Sequence, residues 1–223
     1  MLIRDWMTSD VITVTAETSM FKAGKLMKEQ NIRRLPVIDE DRRVIGIVSD
    51  RDVKAASPSK ATTLDMHEIY YLLSELKIKD IMTPNPTTVD VLDTVEKVAM
   101  LMLEKGVGGL PVVDADKKLV GIITDHDIFK VLVSITGVRA EGMQLAFRLP
   151  DAPGTMRPIF DVLKEHQASI ISVLSSNDAG GEGERDVYMR IRSMEKSRGD
   201  ALVDTLKTRF NLVYWVREKV HIS

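Results

Sequence analysis

The chain has 223 residues, 44% of them apolar and 29% charged, a composition typical of a globular protein of one or two domains. Its 31 Lys and Arg residues nearly balance 33 Asp and Glu residues. The resulting net charge of −2 argues against nucleic acid or an anionic membrane as the main partner. The absence of cysteine excludes disulfides, thiolate metal sites and a cysteine nucleophile. We therefore expect a soluble, cytoplasmic protein.

An internal repeat organises the first 138 residues. Asp5-Trp6-Met7-Thr8 returns 75 residues later as Asp80-Ile81-Met82-Thr83, and 18 of the 49 aligned pairs between 5–53 and 80–128 are identical. Two further shared elements are Leu35-Pro36-Val37 with Leu110-Pro111-Val112, and Gly46–Asp52 with Gly121–Asp127. Because the register holds without a gap, the segment consists of two copies of one module.

Each copy is predicted to have the order β-α-β-β-α. The predicted strands are Val11–Val14, Leu35–Ile38 and Val44–Val48 in the first copy, and Thr87–Val91, Val112-Val113 and Leu119–Ile123 in the second. Thr18 and Thr94 are the expected N-caps of the first helices, and the last helices open near Asp50 and Asp125. The domain bounds are then 1–60, a linker helix over 61–77, and 78–138.

The last eighty residues do not continue the repeat. The predicted strands are Gln144–Leu149, Ile170–Leu174, Val187–Ile191 and Leu212–Val216, with a helix beginning near Met156 and another over Lys196–Arg209. This order, β-α-β-β-α-β, is that of a ferredoxin-like domain, which we place at 143–223.

The repeated D-x-M-T, L-P-V-h-D and G-h-h-S/T-x-x-D elements, with h an apolar residue, resemble those of a tandem CBS domain pair, or Bateman module. The Asp151-Ala152-Pro153-Gly154 turn and the helix after it resemble an ACT domain. The order CBS–CBS–ACT is similar to that of the AcuB-type regulatory proteins of bacterial acetoin utilisation. The resemblance implies an α+β (α/β) protein made of a CBS-domain pair and a C-terminal ferredoxin-like ACT domain.

The G-h-h-S/T-x-x-D element places polar side chains where a buried strand runs into a helix. Ser49 and Asp52 lie at such a helix N-terminus, where free N–H groups favour an anion or polar ligand. A carboxylate can accept both hydroxyls of a ribose, and a hydroxyl can bond a sugar or phosphate oxygen. In CBS families that bind adenosine derivatives, the matching residues contact ribose and phosphate, which implies the same for Ser49 and Asp52 and for Thr124 and Asp127. A capping box that binds nothing is the alternative.

The two copies differ just before the L-P-V element. Arg33-Arg34 in the first copy correspond to Gly108-Gly109 in the second, and we expect the arginines to bind a charged phosphate tail and the glycines to offer only N–H groups. His126 is a possible aid in the second cleft. By family analogy, the adenine lies in an apolar slot near Ile12, Thr13 and Val14, or near Pro86, Thr87 and Thr88.

The ACT resemblance implies another ligand class. ACT domains often bind amino acids between paired subunits, with the turn matching Asp151–Gly154 in the site. Gly154 permits close backbone approach, and Ser169 stands at or next to a position that is commonly Asn. The alternative is a dimerisation domain without a ligand.

The sequence shows no catalytic constellation, metal site or catalytic cofactor motif. We expect a non-catalytic regulatory protein that senses AMP, ADP, ATP or S-adenosylmethionine. The alternative is a ligand-independent dimeric scaffold that recruits an enzyme partner. A homodimer is expected in either case.

Overall fold

A computed structural model describes residues 1–57, 75–178 and 181–218. The chain divides into two compact units, Met1–Phe129 and Lys130–Ser223. The linker helix predicted over 61–77 falls mostly on residues outside the described ranges. None of the helices in the described ranges has the length and apolarity needed to cross a bilayer.

The first unit holds the two copies in the order that the repeat predicts. The first copy contains α1 (Met20–Glu29), β1 (Arg34–Ile38), β2 (Val44–Ser49) and α2 (Asp50–Ala56). The second contains α3 (Ile78–Ile81), β3 (Thr83–Pro84), β4 (Val89–Asp90), α4 (Val95–Lys105), β5 (Gly109–Val113), β6 (Leu119–Thr124) and α5 (Asp125–Thr136). The sheets have the orders β1-β2-β3 and β4-β5-β6.

Two predictions at the start of the first copy are wrong in detail. The strand predicted over Val11–Val14 is reduced to a single parallel bridge between Val14 and Val37. The N-cap of α1 is Ser19, whose hydroxyl accepts the Lys22 N–H at 3.3 Å, and not Thr18. The Thr18 hydroxyl instead accepts the Thr15 N–H at 3.1 Å and closes the turn before the helix. In the second copy, Thr94 is the N-cap of α4, as predicted.

The two copies exchange their D-x-M-T segments. Thr83 of the second copy pairs with Ile47 of the first, and Thr8 of the first copy pairs with Ile122 of the second. The Met82 sulfur rests where a Cβ on Gly46 would lie, and Met7 fills the same space at Gly121. Only glycine leaves room for these sulfurs, so the repeated glycine lets each copy seal the sheet of the other.

Each copy buries a small apolar core next to the exchanged D-x-M-T segment. Around the first sheet the core comprises Val14, Ala23, Met27, Leu35, Val37, Val48 and Ile78. Ile78 belongs by sequence to the second copy, so the core of the first copy is completed by the other copy. This agrees with the small size of each copy, since a module of about 60 residues buries only enough surface to be marginally stable alone.

The second unit is a four-stranded antiparallel sheet with two helices. Its elements are β7 (Gly142–Pro150), α6 (Arg157–Glu165), β8 (Ile170–Ser176), β9 (Glu184–Arg192), α7 (Lys196–Arg209) and β10 (Leu212–Glu218), and its strand order is β10-β7-β9-β8. Alternate residues of β7 and β9, such as Leu145, Phe147 and Met189, pack against the helices. The observed order of strands and helices is the one predicted from the sequence.

The boundary between the two compact units lies inside α5, between Phe129 and Lys130. The last turns of this helix lie against the sheet of the second unit: the Ser172 hydroxyl donates to the Thr136 carbonyl at 2.9 Å, and Gly137 abuts Ile171. The helix therefore begins in the repeat and ends in the C-terminal unit.

Candidate functional site

Ser49 and Asp52 form a closed hydrogen-bonded pair where β2 runs into α2. The Asp52 Oδ2 atom accepts both the Ser49 N–H and the Ser49 hydroxyl at 2.7 Å, and the Asp52 N–H donates to the Ser49 Oγ at 3.3 Å. This is a capping box, so the structural role foreseen as an alternative is present. Among the described residues, every hydrogen bond to the Asp52 carboxylate goes to Oδ2, which leaves Oδ1 for another donor.

Thr124 and Asp127 repeat this geometry in the second copy. The Asp127 Oδ2 atom accepts the Thr124 N–H at 3.0 Å and the Thr124 hydroxyl at 2.7 Å. Asp127 is only 4% exposed, whereas Asp52 is half-buried. The two carboxylates therefore make equivalent contacts at equivalent positions, but Asp127 is more deeply buried than Asp52.

The residues predicted to flank the adenine differ in their surroundings. Because the segment ending at Val14 runs parallel to β1, Ile12 and Thr13 lie level with the start of β1, where Arg34 pairs with Ser49. Val14 itself is buried in the core of the first copy. In the second copy Pro86 and Thr88 are half-buried and Thr87 is exposed, ahead of the parallel pairing of Val89 with Val112.

The Arg34 side chain extends from the first copy into the second. Its Cδ lies 3.0 Å from the position that a Cβ on Gly109 would occupy, and its guanidinium reaches the equivalent space at Gly108. The Asp125 Oδ2 atom lies 2.6 Å from that same position at Gly108. The glycines predicted to offer N–H groups therefore make room for an arginine of the other copy, and the Arg34 guanidinium lies near Gly108 and Asp125 of the second copy.

Arg33 and His126 occupy more peripheral positions. Arg33 is exposed, and its carbonyl accepts the Asp50 N–H at 2.9 Å. The Lys54 ammonium binds the Asp50 carboxylate at 2.8 Å and lowers the pKa of that group, with Arg33 and Arg51 adding to the effect. His126 is exposed, and its backbone N–H donates to Asp125 Oδ1 at 2.8 Å.

The turn at Asp151–Gly154 lines a cavity of about 480 Å³ at the start of α6. The Asp151 carboxylate is held by the Arg185 guanidinium at 2.8 Å and by the Asn177 amide at 3.0 Å, and Gly154 has a φ of +84°. Ser169 is exposed at the opposite end of the sheet, where its carbonyl accepts the Arg192 N–H. One chain does not bring Ser169 to the turn.

A second cavity of about 370 Å³ in the C-terminal unit was not predicted. It lies between the last turns of α5 and the sheet face that carries Gln144, Tyr188 and Arg190. Arg190 and Asp186 on this face are each only 5% exposed, and Asp186 is paired with Arg148 at 2.9 Å. Strand alternation indicates that these polar residues share a face, but nothing in the sequence indicates that the face is covered.

Within the described ranges, no cluster of three or more acidic or histidine side chains is arranged to hold a metal ion. The candidate ligand-binding elements of the first unit remain those predicted from the sequence: the two capping carboxylates, the segments beside β1 and β5, and Arg34.

A family model for the CBS domain matches residues 3–59 and 78–134, just over half of the chain. The chain belongs to the CBS domain family. The ranges coincide with the two copies, so the repeat is a tandem CBS pair, or Bateman module. CBS pairs are regulatory modules and not catalysts, and the pair in this chain is accordingly non-catalytic. Apart from residues 130–134, the C-terminal unit lies outside the matched ranges.

Curated relatives share this pair. A CBS domain-containing protein of Dictyostelium discoideum is 32% identical over 134 residues, which cover 60% of this chain and 92% of that protein. The chain spans only about a quarter of several longer relatives, including an L-aspartate semialdehyde sulfurtransferase of Methanocaldococcus jannaschii, at 31% identity over 58% of this chain and 23% of that enzyme.

Solved structures of CBS pairs include complexes with adenosine ligands. CBSX2 of Arabidopsis thaliana, in complex with AMP, is 35% identical with a TM-score of 0.50 and covers 60% of this chain and 97% of its own. The CBS pair of protein MJ0100, with 5′-methylthioadenosine and S-adenosyl-L-methionine, is 29% identical with a TM-score of 0.50, over 59% and 95%. A Vibrio cholerae protein provisionally assigned to acetoin utilisation (AcuB) is 30% identical with a TM-score of 0.52, over 62% and 94%.

Proposed function

We propose that this protein is a regulatory sensor that binds an adenosine-containing ligand, such as AMP, ADP, ATP or S-adenosylmethionine, in the clefts of its CBS pair. The observation that carries the proposal is the duplicated carboxylate, Asp52 and Asp127, held in the same way in both copies. A carboxylate fixed before the ligand arrives binds a ribose diol without first having to order its own side chain.

The complexes of the solved relatives support the choice of ligand. CBSX2 is found with AMP, and the MJ0100 pair is found with two adenosine derivatives that carry no phosphate. The common part of these ligands is the adenosine. A ribose-binding carboxylate together with an apolar segment, expected at Ile12 for the first copy and at Pro86 for the second, would suit that common part.

The C-terminal unit has a proposed role of its own as an ACT domain. Its strand order β10-β7-β9-β8 is that of a ferredoxin-like sheet, and the Asp151–Gly154 turn lines a cavity. The β8 strand is a sheet edge, and two such edges related by a two-fold axis would pair antiparallel. Ser169 of one copy would then lie near the Asp151 turn of the other. We propose a homodimer of this kind, with an amino acid as the possible second ligand.

Signalling between the units would use α5. This helix supplies Asp127 at its start, and its last turns lie against the sheet of the C-terminal unit through Thr136 and Ser172. A ligand that binds more tightly to one position of the Asp127 end would therefore shift the equilibrium between positions of the whole helix. The free energy of this shift is limited to the difference between the ligand's binding free energies for the two positions.

A ligand-independent scaffold is the second candidate. The observation that favours it is that both capping boxes are complete without any ligand, so the carboxylates already have a structural function. A partner enzyme captured with equal strength with and without nucleotide would support this reading.

Isothermal titration calorimetry tests the proposal. AMP, ADP, ATP and S-adenosylmethionine are titrated into the wild type, Asp52→Asn and Asp127→Asn. Asparagine retains an oxygen for the cap but loses the charge. Since a hydrogen bond to a charged group contributes about 1.5–3 kcal/mol, the affinity of the affected cleft should fall about 10- to 150-fold.

Asp80→Asn is the matched control. Asp80 also caps a helix, accepting the Lys77 N–H at 3.0 Å, but it lies outside both G-h-h-S/T-x-x-D elements. Its substitution should leave the affinity unchanged. Failure of all four ligands to bind at millimolar concentration would overturn the proposal and leave the scaffold.

A further inference from the structure

The sheet of the C-terminal unit carries polar side chains in ordered rows on the face opposite α6 and α7. Gln144 on β7, Arg190 on β9 and Ser172 on β8 are direct cross-strand partners and form one row. Tyr188 and Leu174 are partners in the next row. Because side chains of directly opposed residues stand about 5 Å apart on one face of a sheet, these five groups surround a common space.

The last turns of α5, which belong to the same compact unit, lie over this space. Leu132 and Val133 line it from the side of the helix. The Ser172 hydroxyl donates to the Thr136 carbonyl at 2.9 Å, which holds the end of the helix on the sheet. The enclosed cavity of about 370 Å³ falls at the lower end of the range of small-molecule sites, about 300–1,000 Å³.

Arg190 brings a positive charge to this cavity, although its side chain is only 5% exposed. Its Cδ lies 3.8 Å from where a Cβ on Gly137 would be, so the side chain runs beneath the end of α5. Of the described residues that line the cavity, Arg190 is the only charged one. Asp186, two rows away, is bound by Arg148 through two hydrogen bonds of 2.9 and 3.2 Å. Since a guanidinium has several N–H donors, Arg190 can bind a ligand anion alongside its contacts with protein groups.

The lining matches a small monocarboxylate with an apolar tail. The fork of a guanidinium fits the two oxygens of a carboxylate, and the Gln144 amide and the Tyr188 hydroxyl can donate to the same oxygens. Leu132, Val133 and Leu174 form apolar walls for the tail. A phosphate would bring a second negative charge into a lining that supplies one cation among its described residues, and an unbalanced buried charge is costly.

We propose that this cavity is a binding site for a small monocarboxylate with a short apolar tail. Arg190 binds the carboxylate, and the tail lies between Leu174 and the last turns of α5. The site shares no lining residue with the cavity at the Asp151–Gly154 turn, so it is separate from the amino-acid site proposed there. The inference does not depend on adenosine binding by the CBS pair.

Methyl NMR of the full chain at neutral pH tests the proposal, with 4-methylpentanoate as the probe and 4-methylpentanamide as its uncharged counterpart. The methyl signals of Leu132, Val133 and Leu174 should shift with 4-methylpentanoate in a saturable manner. Those of Ile159, in the core on the helix side of the sheet, should not shift. Because the amide brings no charge to Arg190, it should bind about 10- to 100-fold more weakly.

Three variants separate the guanidinium from the cavity. Arg190→Gln should weaken 4-methylpentanoate binding about 10- to 100-fold, down to the affinity of the amide. Arg192→Gln is the matched control, because Arg192 is two residues further along β9, exposed and outside the lining, and its substitution should leave the affinity unchanged. Val133→Phe places a larger ring in the empty space and leaves Arg190 intact. It should abolish binding, and it tests the site even where Arg190→Gln does not fold.

Three outcomes would overturn the inference. These are the absence of a saturable shift with 4-methylpentanoate at millimolar concentration, equal affinities for the carboxylate and the amide, and an unchanged affinity in folded Arg190→Gln or in Val133→Phe. Methyl shifts that follow the protein concentration and not the probe would also overturn it, because they would assign this face to a contact between copies of the chain. The adenosine titrations test the proposed function separately, so its failure and the failure of this site are distinct results.

Discussion

Truncation of the two capping carboxylates should destabilise the CBS pair to different extents. In Asp127→Ala, the Thr124 N–H and hydroxyl both lose their acceptor, at a site where the carboxylate is 4% exposed and water has little access. The lost cap costs about 1 kcal/mol, and a buried donor left unsatisfied costs about 1–3 kcal/mol. We expect a total of about 2–4 kcal/mol. In Asp52→Ala, water can replace the half-buried carboxylate, so only the cap term of about 1 kcal/mol should remain.

Urea unfolding measured by tryptophan fluorescence can separate these values. The chain has two tryptophans, and Trp6 belongs to the first unit while Trp215 belongs to the second. In a Trp215→Phe background, the fluorescence therefore reports the CBS pair alone, which matters because two compact units need not unfold together. Asp127→Asn is the control and should recover most of the loss. Equal losses in the free energy of unfolding for Asp52→Ala and Asp127→Ala would refute the reasoning that the more deeply buried carboxylate contributes more to stability.

Two further predictions concern the C-terminal unit, and Trp215 fluorescence reports both. Gly142→Ala should destabilise this unit, because the added Cβ would collide with the Ile191 backbone carbonyl, which cannot swing aside; unchanged urea unfolding would contradict this. The hydrogen bond from Arg148 lowers the pKa of Asp186. This pair therefore stabilises the folded unit above the unfolded pKa of about 3.9 and loses its contribution as the pH falls through the lower folded pKa. Asp186→Asn should flatten the fall in stability below about pH 4, and an unchanged pH profile would exclude this pair as its source.

Local sequence signals predicted most of the fold because they act over short distances. The repeat, the alternation in β7 and β9, and the cap at Thr94 each depend on neighbours in the chain or on one buried face. Thr18 and Ser19 show the limit of such signals. Both can cap a helix, and the choice of Ser19 depends on the turn that Thr18 closes with Thr15.

Contacts between the copies could not be predicted from the sequence in the same way. The two D-x-M-T segments are nearly identical, so their sequence does not indicate whether each pairs with its own copy or with the other. The structure shows the exchange through Thr83 with Ile47. The direction of Arg34 is hidden for the same reason, because only the packed interface shows that Gly108 and Gly109 are spaces for its side chain.

A crystal structure of the protein grown with saturating AMP tests the central claim most directly. The account predicts AMP in a cleft of the CBS pair, with its ribose hydroxyls within about 3 Å of the Asp52 or Asp127 carboxylate, the distance of a normal hydrogen bond. The phosphate should contact the guanidinium of Arg34. Empty clefts at a saturating AMP concentration, or AMP bound only elsewhere on the surface, would contradict the assignment of this CBS pair as an adenosine sensor.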